Sequence, residues 1–264
     1  MPQPIHRGWF SLAVAFAGGL VLLFVLGPLV GMFLATSPRQ LLTTAGDAEV
    51  TASIWLTLWT SMGATLILAI VAVPFAYLLA RRDFPLKWLV SGIIDIPVVI
   101  PHPAAGIALL GVLNRNTALG RLGEAMGLDF VGHPAGIMAA MAFVSLPYLI
   151  NAARDGFAAV PQRLENAALT LGASPARVFL TISLPLARHA ILSGLILMCA
   201  RGLSEFGAVI IMAYHPMVTP VLIYDRFTSF GLSYAQAPTI LFILVCLALL
   251  VVLRLLRGGQ HAAR

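Results

Sequence analysis

The sequence predicts an all-α membrane protein with about six transmembrane helices, and three observations lead to this prediction. Of the 264 residues, 60% are hydrophobic and 10% are charged, whereas a typical soluble domain carries roughly 25% charged residues. A water-soluble fold of this length could not bury so much apolar surface. Six apolar stretches approach or exceed the roughly 20 residues that a helix needs to cross a hydrocarbon core of about 30 Å. We therefore expect one transmembrane domain over residues 1–264, with the lipid bilayer as its solvent.

The six predicted spans follow one another with short connections. They run from about Trp9 to Leu34, Ala52 to Ala80, Trp88 to Leu113, Ala135 to Asn151, Leu186 to Tyr214 and Ala237 to Leu253. The first span is too long for the roughly 7–15-residue apolar core of a signal peptide, so we expect a retained helix. The fourth span can continue at its C-terminal end beyond the bilayer.

The positions of Lys and Arg predict the orientation of these spans. Eleven cations fall on one side and four on the other, and the positive-inside rule assigns the richer side to the cytoplasm. The first set is Arg7, Arg81, Arg82, Lys87, Arg154, Arg163, Arg177, Arg188, Arg254, Arg257 and Arg264, and the second is Arg39, Arg115, Arg121 and Arg226. Both termini are therefore expected in the cytoplasm. Because these cations lie in short loops, the net charge of +6 indicates topology, and no nucleic-acid partner is expected.

The outer loops carry no excess of positive charge. Their four arginines are accompanied by Asp47, Glu49, Glu124, Asp129 and Asp225, which gives a net charge of −1. No broad basic surface would therefore concentrate a free anion outside. An anionic cargo would need another means of delivery.

The longest polar interruption between spans runs from Arg154 to Arg188 and predicts two short helices. The stretch from Pro161 to Leu171 is rich in helix formers, and Gly172 suits the left-handed position that ends a helix. Ser174 followed by Pro175 is an N-cap and first-turn pair, which begins the second helix.

The second of these helices would place Val178, Phe179 and Ile182 on one face. Pro185 would then mark the entry into the fifth span, where its missing N–H costs least. Two amphipathic helices at a membrane surface are a common arrangement without further function. The spacing of the residues favours a more specific interpretation.

This loop resembles the EAA loop of ABC importer permeases, which has a Glu-Ala-Ala core, three residues, Gly, nine residues and Ile-x-Leu-Pro. The positions that match are Ala167, Ala168, Gly172, Ile182, Leu184 and Pro185. Asn166 stands where the family usually has Glu, and Glu165 comes one residue early. An asparagine can hydrogen-bond at that position but cannot form an ion pair.

The resemblance implies that residues 161–185 dock on a separate ATP-binding subunit, within a permease-like core of about residues 52–254. The candidate coupling residues are Glu165, Asn166, Ala167, Ala168, Gly172, Ser174, Pro175 and Pro185. In that family, this loop converts closure of the ATPase into movement of the spans, which gives alternating access.

A charged pair lies inside the predicted fifth span. Arg201 and Glu205 are four residues apart on one helical face and can neutralise each other. An unpaired charge at this depth would cost roughly 2.5–3.5 kcal/mol. The pair either sets helix packing or lines a translocation path or gate, and Gly202 and Gly207 allow close helix contact or bending nearby.

The third span contains Asp95 and the three prolines Pro97, Pro101 and Pro103. Prolines remove backbone donors and kink or interrupt a helix. Broken backbone at membrane depth is tolerated where it is buried in protein or lines a cavity, so we expect a wall of the path here. Asp95 is either a path residue or the partner of a cation such as Arg201, and the sequence leaves both open.

These two segments also resemble the molybdate/tungstate permeases. The matching stretches are residues 95–102, 201–207, 213–217 and 223–226, and the resemblance covers most of the chain from the second span onward. It implies a homodimer, two cytoplasmic ATP-binding subunits and an extracytoplasmic binding protein that delivers a tetrahedral oxyanion. Sulfate/thiosulfate permeases share the Arg…Glu-aromatic-Gly pattern, so sulfate or thiosulfate is the alternative substrate.

The sequence carries no pattern for ATP hydrolysis or other catalysis. Its single lysine, Lys87, follows Leu86, whereas a phosphate-binding loop needs Gly-Lys-Ser/Thr. The six histidines lack metal-ligand spacing, and Cys199 and Cys246 lie in apolar runs. We therefore expect a transport subunit with no catalytic residue, metal or cofactor of its own. A secondary transporter or channel is the competing class, and a membrane enzyme lacks a catalytic cluster.

Overall fold

The computed structural model describes residues 8–258, with side chains through Leu255, and this part of the chain is helical without strands. Its helices are α1 (Trp9–Ala35), α2 (Pro38–Ala45), α3 (Ala48–Arg81), α4 (Lys87–Val99), α5 (His102–Leu113), α6 (Ala118–Ala125), α7 (Pro134–Ala158), α8 (Gln162–Thr170), α9 (Pro175–Val178), α10 (Leu184–Leu203), α11 (Gly207–Met212), α12 (Thr219–Phe230) and α13 (Leu232–Gly258). A π-helical turn, Phe179–Ser183, joins α9 to α10.

Five helical runs within these residues are long and apolar enough to cross a bilayer, or six if α4 and α5 count as one bent span. The five are α1, α3, α7, α13 and the continuous run from α9 through α10. The predicted all-α fold with about six spans is therefore confirmed. The helices α2, α6 and α12 lie between the spans and were not predicted.

The centre of the bundle is formed by α3, α7 and α10, which pack along much of their lengths. Many residues at their contacts are small and fully or almost fully buried. These include Ala64, Ala72, Ala76, Ala142, Ala153 and Ala187. Small side chains let helix backbones approach closely. In a membrane this close packing drives helix association, because lipid tails are as apolar as leucine and the hydrophobic effect between helices is absent.

A row of buried hydroxyl groups follows one face of α3. Ser53, Thr57, Ser61 and Thr65 recur every four residues, and each is buried. Thr57 Oγ1 accepts a hydrogen bond of 2.8 Å from the backbone N–H of Thr219, which begins α12. Ser61 Oγ donates a hydrogen bond of 2.8 Å to the carbonyl oxygen of residue 199 in α10. These bonds fix α3 against two other helices and satisfy a donor at a helix N-terminus.

The predicted break in the third span is confirmed. The helices α4 and α5 are separated by Ile100 and Pro101, and their axes are bent by 112°. Pro101 is the N-cap of α5 and Pro103 lies in its first turn, where a missing backbone N–H costs little. The prolines therefore place a helix start at membrane depth.

The predicted fifth span, Leu186 to Tyr214, is wrong in its C-terminal part, because α10 ends at Leu203 and a separate helix, α11, begins at Gly207. Glu205 lies in the break, and its Oε1 accepts a hydrogen bond of 2.9 Å from the backbone N–H of Ala208. The carboxylate thus caps the new helix, which a continuous helix would not permit.

The two ends of the bundle differ in what they carry. One end holds α8, α9 and the C-termini of α3 and α7, and the other holds α2, α6 and α12. We call them the loop end and the opposite end.

Both chain termini are expected in the cytoplasm, but residues 1–7 and 259–264 lie outside the described residues. Arg7 and Arg264 belong to these segments, and the side chain of Arg257 is not described either.

Candidate functional site

The two short helices predicted at the loop end are present. The first, α8, ends at Thr170, and Gly172 follows with φ of +88°, the left-handed conformation predicted for it. The second begins at Pro175, and Ser174 Oγ accepts a hydrogen bond of 3.3 Å from the backbone N–H of Arg177. Both local predictions, the glycine stop and the serine cap, are confirmed.

Several of the candidate coupling residues are exposed at the tip of this loop. Asn166, Ala167, Gly172, Ser174, Pro175 and Pro185 are exposed, and Ala168 is half-buried. Leu171 is 88% exposed, although it is a large apolar side chain. Together with the exposed Leu164 and Leu169 on α8, it gives the loop an apolar surface of the kind that marks interaction sites.

Glu165 differs from the other candidate coupling residues because its side chain points into the bundle and is buried. Arg81 Nε donates to both carboxylate oxygens, at 3.0 and 2.9 Å, and Arg81 Nη2 donates to Oε1 at 2.7 Å. Ser183 Oγ donates to Oε1 at 2.7 Å, and the hydroxyl of Tyr77 donates to Oε2 at 3.4 Å. Arg81 Nη2 also donates to the carbonyl oxygen of Val160 at 2.9 Å. We call this group of five residues the Glu165 clamp.

The clamp also sets the charge state of Glu165. Burial acts to raise the pKa of the carboxyl group, but the hydrogen bonds from Arg81 and Ser183 outweigh it and hold the pKa below its ordinary value of 4.5. The carboxylate therefore remains ionised at neutral pH. A buried ion pair of this kind is retained only where its remaining hydrogen-bonding positions are filled, as they are here.

Pro185 marks the entry into α10, as predicted. The chain runs without a break from Pro175 to Leu203 through the π-helical turn, which was not predicted. In that turn the backbone N–H of Leu184 bonds to the carbonyl oxygen of Phe179, one residue further back than in an α-helix. Pro185 lies in the first turn of α10. The wider turn precedes the proline, whose ring and missing N–H would otherwise disturb a regular α-helix.

A cavity of about 460 Å³ lies beside the Glu165 clamp. Its lining includes Tyr77, Arg81, Arg82, Asn166 and Val178. It is thus bounded by α3 on one side and by both loop helices on the other. The cavity gives the loop end a recess as well as a projecting tip.

The second candidate region lies where the two broken spans meet. Glu205 is fully buried, and its Oε2 lies 2.9 Å from Arg201 Nη2 and 3.4 Å from His102 Nδ1. Among the described residues, that oxygen makes no contact with the geometry of a hydrogen bond. Arg201 Nη2 lies 2.8 Å and 3.0 Å from the two ring nitrogens of His102, and Nη1 donates to Ser204 Oγ at 3.2 Å. The predicted Arg201–Glu205 pair is confirmed, and it has gained a third member.

The glycine at position 207 explains how these broken spans approach each other. A Cβ atom at Gly207 would lie 2.7 Å from the Cβ of His102 and 3.0 Å from the Cδ of Pro103. A larger side chain would therefore push α5 away from α11. The close contact brings His102 within reach of Arg201 and Glu205.

Asp95 is not the partner of Arg201. Within the described residues its carboxylate accepts a hydrogen bond of 2.7 Å from Asn151 Nδ2 on α7, and no ion pair involves it. The two residues border a cavity of about 390 Å³, which is also lined by Val98 and Tyr148. Pro97 is buried in α4, and Pro101 is exposed at the break. The structure therefore separates Asp95 from the charged cluster.

The opposite end carries paired charges. Arg226 Nη2 lies 2.7 Å from Asp47 Oδ2 and 2.9 Å from Glu49 Oε2. The hydrogen bond from Arg226 holds the pKa of Asp47 below its usual value against the opposing effect of burial. Arg115 pairs with Asp129 at 3.2 Å. These contacts neutralise two of the four arginines at this end.

Several residues of these sites were not singled out from the sequence, among them Arg81, His102 and Ser183. Arg81 was counted as a topology signal, His102 as one of six scattered histidines, and Ser183 as part of the loop. No local pattern connects Arg81 to Glu165, since the two are 84 residues apart. A signal for His102 existed, because it stands between two prolines at the predicted break.

The bundle, with its broken spans and its helix–glycine–helix loop, has the architecture of an ABC importer permease. Residues 72–259 match the family of binding-protein-dependent transport system inner membrane components, and the chain belongs to that family. It is therefore the membrane-spanning transport component of an ABC importer.

The relatives agree with this class. The molybdate/tungstate transport system permease protein WtpB of Thermococcus kodakarensis is 40% identical over 260 residues, which cover 98% of this chain and 100% of the relative. The protein of the same name from Pyrococcus abyssi is 41% identical over 246 residues, or 92% of this chain and 94% of the relative. A bacterial alginate ABC transporter, solved in complex with an alginate-pentasaccharide-bound periplasmic protein, has a chain of the same fold, with a TM-score of 0.76, 17% identity and 94% coverage of both chains.

Proposed function

We propose that this permease carries molybdate or tungstate into the cytoplasm by alternating access, and that the path passes the cluster of His102, Arg201 and Glu205. The observation that carries the proposal is this cluster, which lies where two helices are interrupted within apolar spans. Charged groups at membrane depth are costly and mark ion or substrate pathways. The side chain of Arg201 is 19% exposed, and its guanidinium group has several N–H donors for an oxyanion.

The substrate class is supported by the names of the two relatives at about 40% identity. Tetrahedral oxyanions of this kind need hydrogen-bond donors and positive charge, and Arg201, His102 and the hydroxyl of Ser204 offer donors on one side of the break. Glu205 keeps the arginine in place before the anion arrives. The remaining predicted path residues, Asp95, Pro97, Pro101 and Gly207, would shape the surrounding walls.

The assembly we propose is a homodimer with two cytoplasmic ATP-binding subunits and one extracytoplasmic oxyanion-binding protein. The exposed loop tip with Leu171 supports docking of the ATPase at the loop end. The paired charges at the opposite end support delivery by a binding protein, since that surface would not concentrate a free anion. The positive-inside distribution supports a cytoplasmic loop end and cytoplasmic termini. The chain itself would contribute no cofactor or metal ligand.

Reconstitution in proteoliposomes tests this function. The permease is combined with its ATPase subunit and binding protein, and ATP-dependent uptake of radiolabelled molybdate and tungstate is measured with unlabelled sulfate as competitor. We expect uptake that requires ATP and the binding protein and that persists in excess sulfate. Uptake of sulfate in place of both metal oxyanions would assign the alternative substrate. Uptake driven by an ion gradient without the ATPase subunit would overturn the ABC mechanism.

A further inference from the structure

The Glu165 clamp joins parts of the chain that would otherwise move separately. Tyr77 and Arg81 belong to the C-terminal end of α3, Glu165 belongs to α8, and Ser183 belongs to the π-helical turn. The carbonyl oxygen of Val160, in the connection between α7 and α8, also accepts from Arg81. One buried carboxylate therefore holds three helical segments together at the loop end.

The clamp occupies the inner side of α8, whereas Asn166 and Ala167 face outward from the next two positions. The side chain of Glu165 is 8% exposed, and that of Arg81 is 9% exposed. Glu165 therefore offers little surface to a partner docked on the outer side of the loop, although it borders the cavity beside the clamp. Both of its carboxylate oxygens already accept hydrogen bonds from α3 and the π-helical turn, which favours a role in the transmission of movement.

Two of the joined segments lead to the charged cluster. The run from Pro175 to Leu203 connects the loop to Arg201 as one continuous helix. In parallel, α3 continues for 20 residues from Arg81 back to Ser61, a rise of about 30 Å. There Ser61 Oγ donates to the carbonyl oxygen of residue 199, two residues before Arg201. The helices α3 and α10 are thus linked at the loop end through Glu165 and the π-helical turn, and they are bonded directly beside the cluster.

We propose that Glu165 is a positioning residue that forces α3 and α10 to move together when the ATPase moves the loop. The proposal rests on the proposed function, because it assumes that the ATPase docks on residues 161–185. Without the clamp, movement of α8 and α9 would still reach α10 through the continuous helix, but α3 would lag behind. The break beside Arg201 would then open incompletely in each cycle of hydrolysis.

The energetic reason lies in the low dielectric of the buried pair. Hydrogen bonds between charged groups are stronger than neutral ones, and separating a buried guanidinium from its carboxylate leaves two uncompensated charges. Sliding α8 against α3 is therefore costly. By contrast, the connection between α8 and α9 contains Gly172, which has no side chain that could pack against its surroundings.

The test compares the ratio of substrate uptake to ATP hydrolysis in the complete reconstituted complex. Glu165→Gln keeps the shape of the side chain but removes the ion pair, and Ser183→Ala removes the link to the π-helical turn. We expect Glu165→Gln to lower molybdate or tungstate uptake per ATP by about fivefold or more, and Ser183→Ala by about twofold, while the ATPase subunit still co-purifies. Arg82→Ala is the matched control, since Arg82 is adjacent to Arg81, is exposed and lies outside the clamp.

A charge exchange provides the decisive variant. Arg81→Glu combined with Glu165→Arg should recover part of the uptake per ATP that each single change removes. A merely structural role would reduce the amount of assembled complex but leave the ratio within that complex unchanged, and this outcome would overturn the proposal. Loss of ATPase co-purification in Glu165→Gln, but not in Arg82→Ala, would also overturn it by placing Glu165 at the docking contact. Failure of the proposed function is distinguishable, because wild-type uptake would then not require ATP.

Discussion

The protein contains two buried Arg–Glu pairs that differ in how completely they are satisfied. At the loop end, Arg81 and Glu165 come from distant parts of the chain, and both carboxylate oxygens of Glu165 accept hydrogen bonds. Beside the broken spans, Arg201 and Glu205 are four residues apart, and Oε2 of Glu205 contacts the arginine without hydrogen-bond geometry. We call the first pair saturated, because both carboxylate oxygens accept hydrogen bonds, and the second pair unsaturated, because one carboxylate oxygen does not.

This difference separates a fixed joint from a site that can rearrange. A saturated buried pair resists movement because every bond broken exposes an uncompensated charge. In the second pair, Glu205 Oε1 is used to cap α11, while Arg201 also reaches His102 and Ser204. An arriving anion could therefore recruit the guanidinium without dismantling the helix cap. Five predictions test this difference between the two pairs.

The largest effect is expected from removing one partner of the saturated pair. Glu165→Ala should lower the stability of the folded permease by on the order of 3 kcal/mol, because Arg81 is left without its counter-ion in a buried position. The midpoint of thermal unfolding in detergent measures this loss. Glu124→Ala serves as control, since Glu124 is exposed on α6 and its removal should change stability little. Equal shifts in both variants would show that the clamp adds no stability.

The next effect concerns transport through the unsaturated pair. Arg201→Ala should reduce ATP-dependent uptake by about tenfold or more, equivalent to about 1.4 kcal/mol or more, because the path loses its guanidinium donors. The ATPase subunit should still co-purify, since the loop end is unchanged. Arg39→Ala, on exposed α2 at the opposite end, should leave uptake near the wild-type level. Normal uptake by Arg201→Ala would limit this residue to a packing role.

Removing both charges of the same pair separates packing from transport. Arg201→Met combined with Glu205→Gln leaves an amide oxygen that can still accept from the backbone N–H of Ala208. Stability should recover relative to Arg201→Ala, because no unpaired charge remains buried, but uptake should stay several-fold below wild type. Unfolding midpoints and uptake rates are measured on the same preparations. Full recovery of uptake would assign the pair to packing alone.

A smaller effect is expected at the turn between the two loop helices. Gly172→Val places a β-branched residue at φ of +88°, which costs roughly 1–2 kcal/mol, and should change the angle between α8 and α9. Membrane insertion should be preserved, whereas ATP hydrolysis should become uncoupled from uptake. Ala173→Val is the neighbouring control. Coupled uptake at the wild-type ratio in the Gly172 variant would argue against a docking role for this turn.

The smallest effect is a dependence of stability on pH. Because the pKa of Glu165 is lower in the folded protein than in the unfolded chain, the stability it contributes is present above a pH of about 4.5 and is lost as the pH falls through the folded pKa. The difference in unfolding midpoint between wild type and Glu165→Gln should therefore shrink as the pH falls below about 4.5. A difference that grows on acidification would contradict the lowered pKa.

Structural elements that depend only on neighbouring residues were predicted correctly from the sequence. The long apolar runs of α1 and α13, the glycine stop at residue 172 and the Ser174 cap follow from residue type and spacing, and the structure has them. The break at Pro101 also follows, because three prolines within seven residues remove several backbone donors at one place. A single proline is not enough, since Pro28 and Pro74 lie inside the continuous helices α1 and α3. The break after Leu203 was missed because it depends on where the Glu205 side chain finds a backbone donor.

The sequence by itself thus determined most of the spans and the helix–glycine–helix loop, because hydrophobic length and backbone conformation are properties of neighbouring residues. The resemblance of that loop to known permeases indicated the class of transporter. Only the tertiary structure decided that Glu165 turns inward to Arg81, that His102 joins Arg201, and that Asp95 bonds to Asn151. These partners are separated by 84, 99 and 56 residues. Each carboxylate could pair with several cations or amides, and which one it meets is fixed by the packing of small residues that brings the helices together.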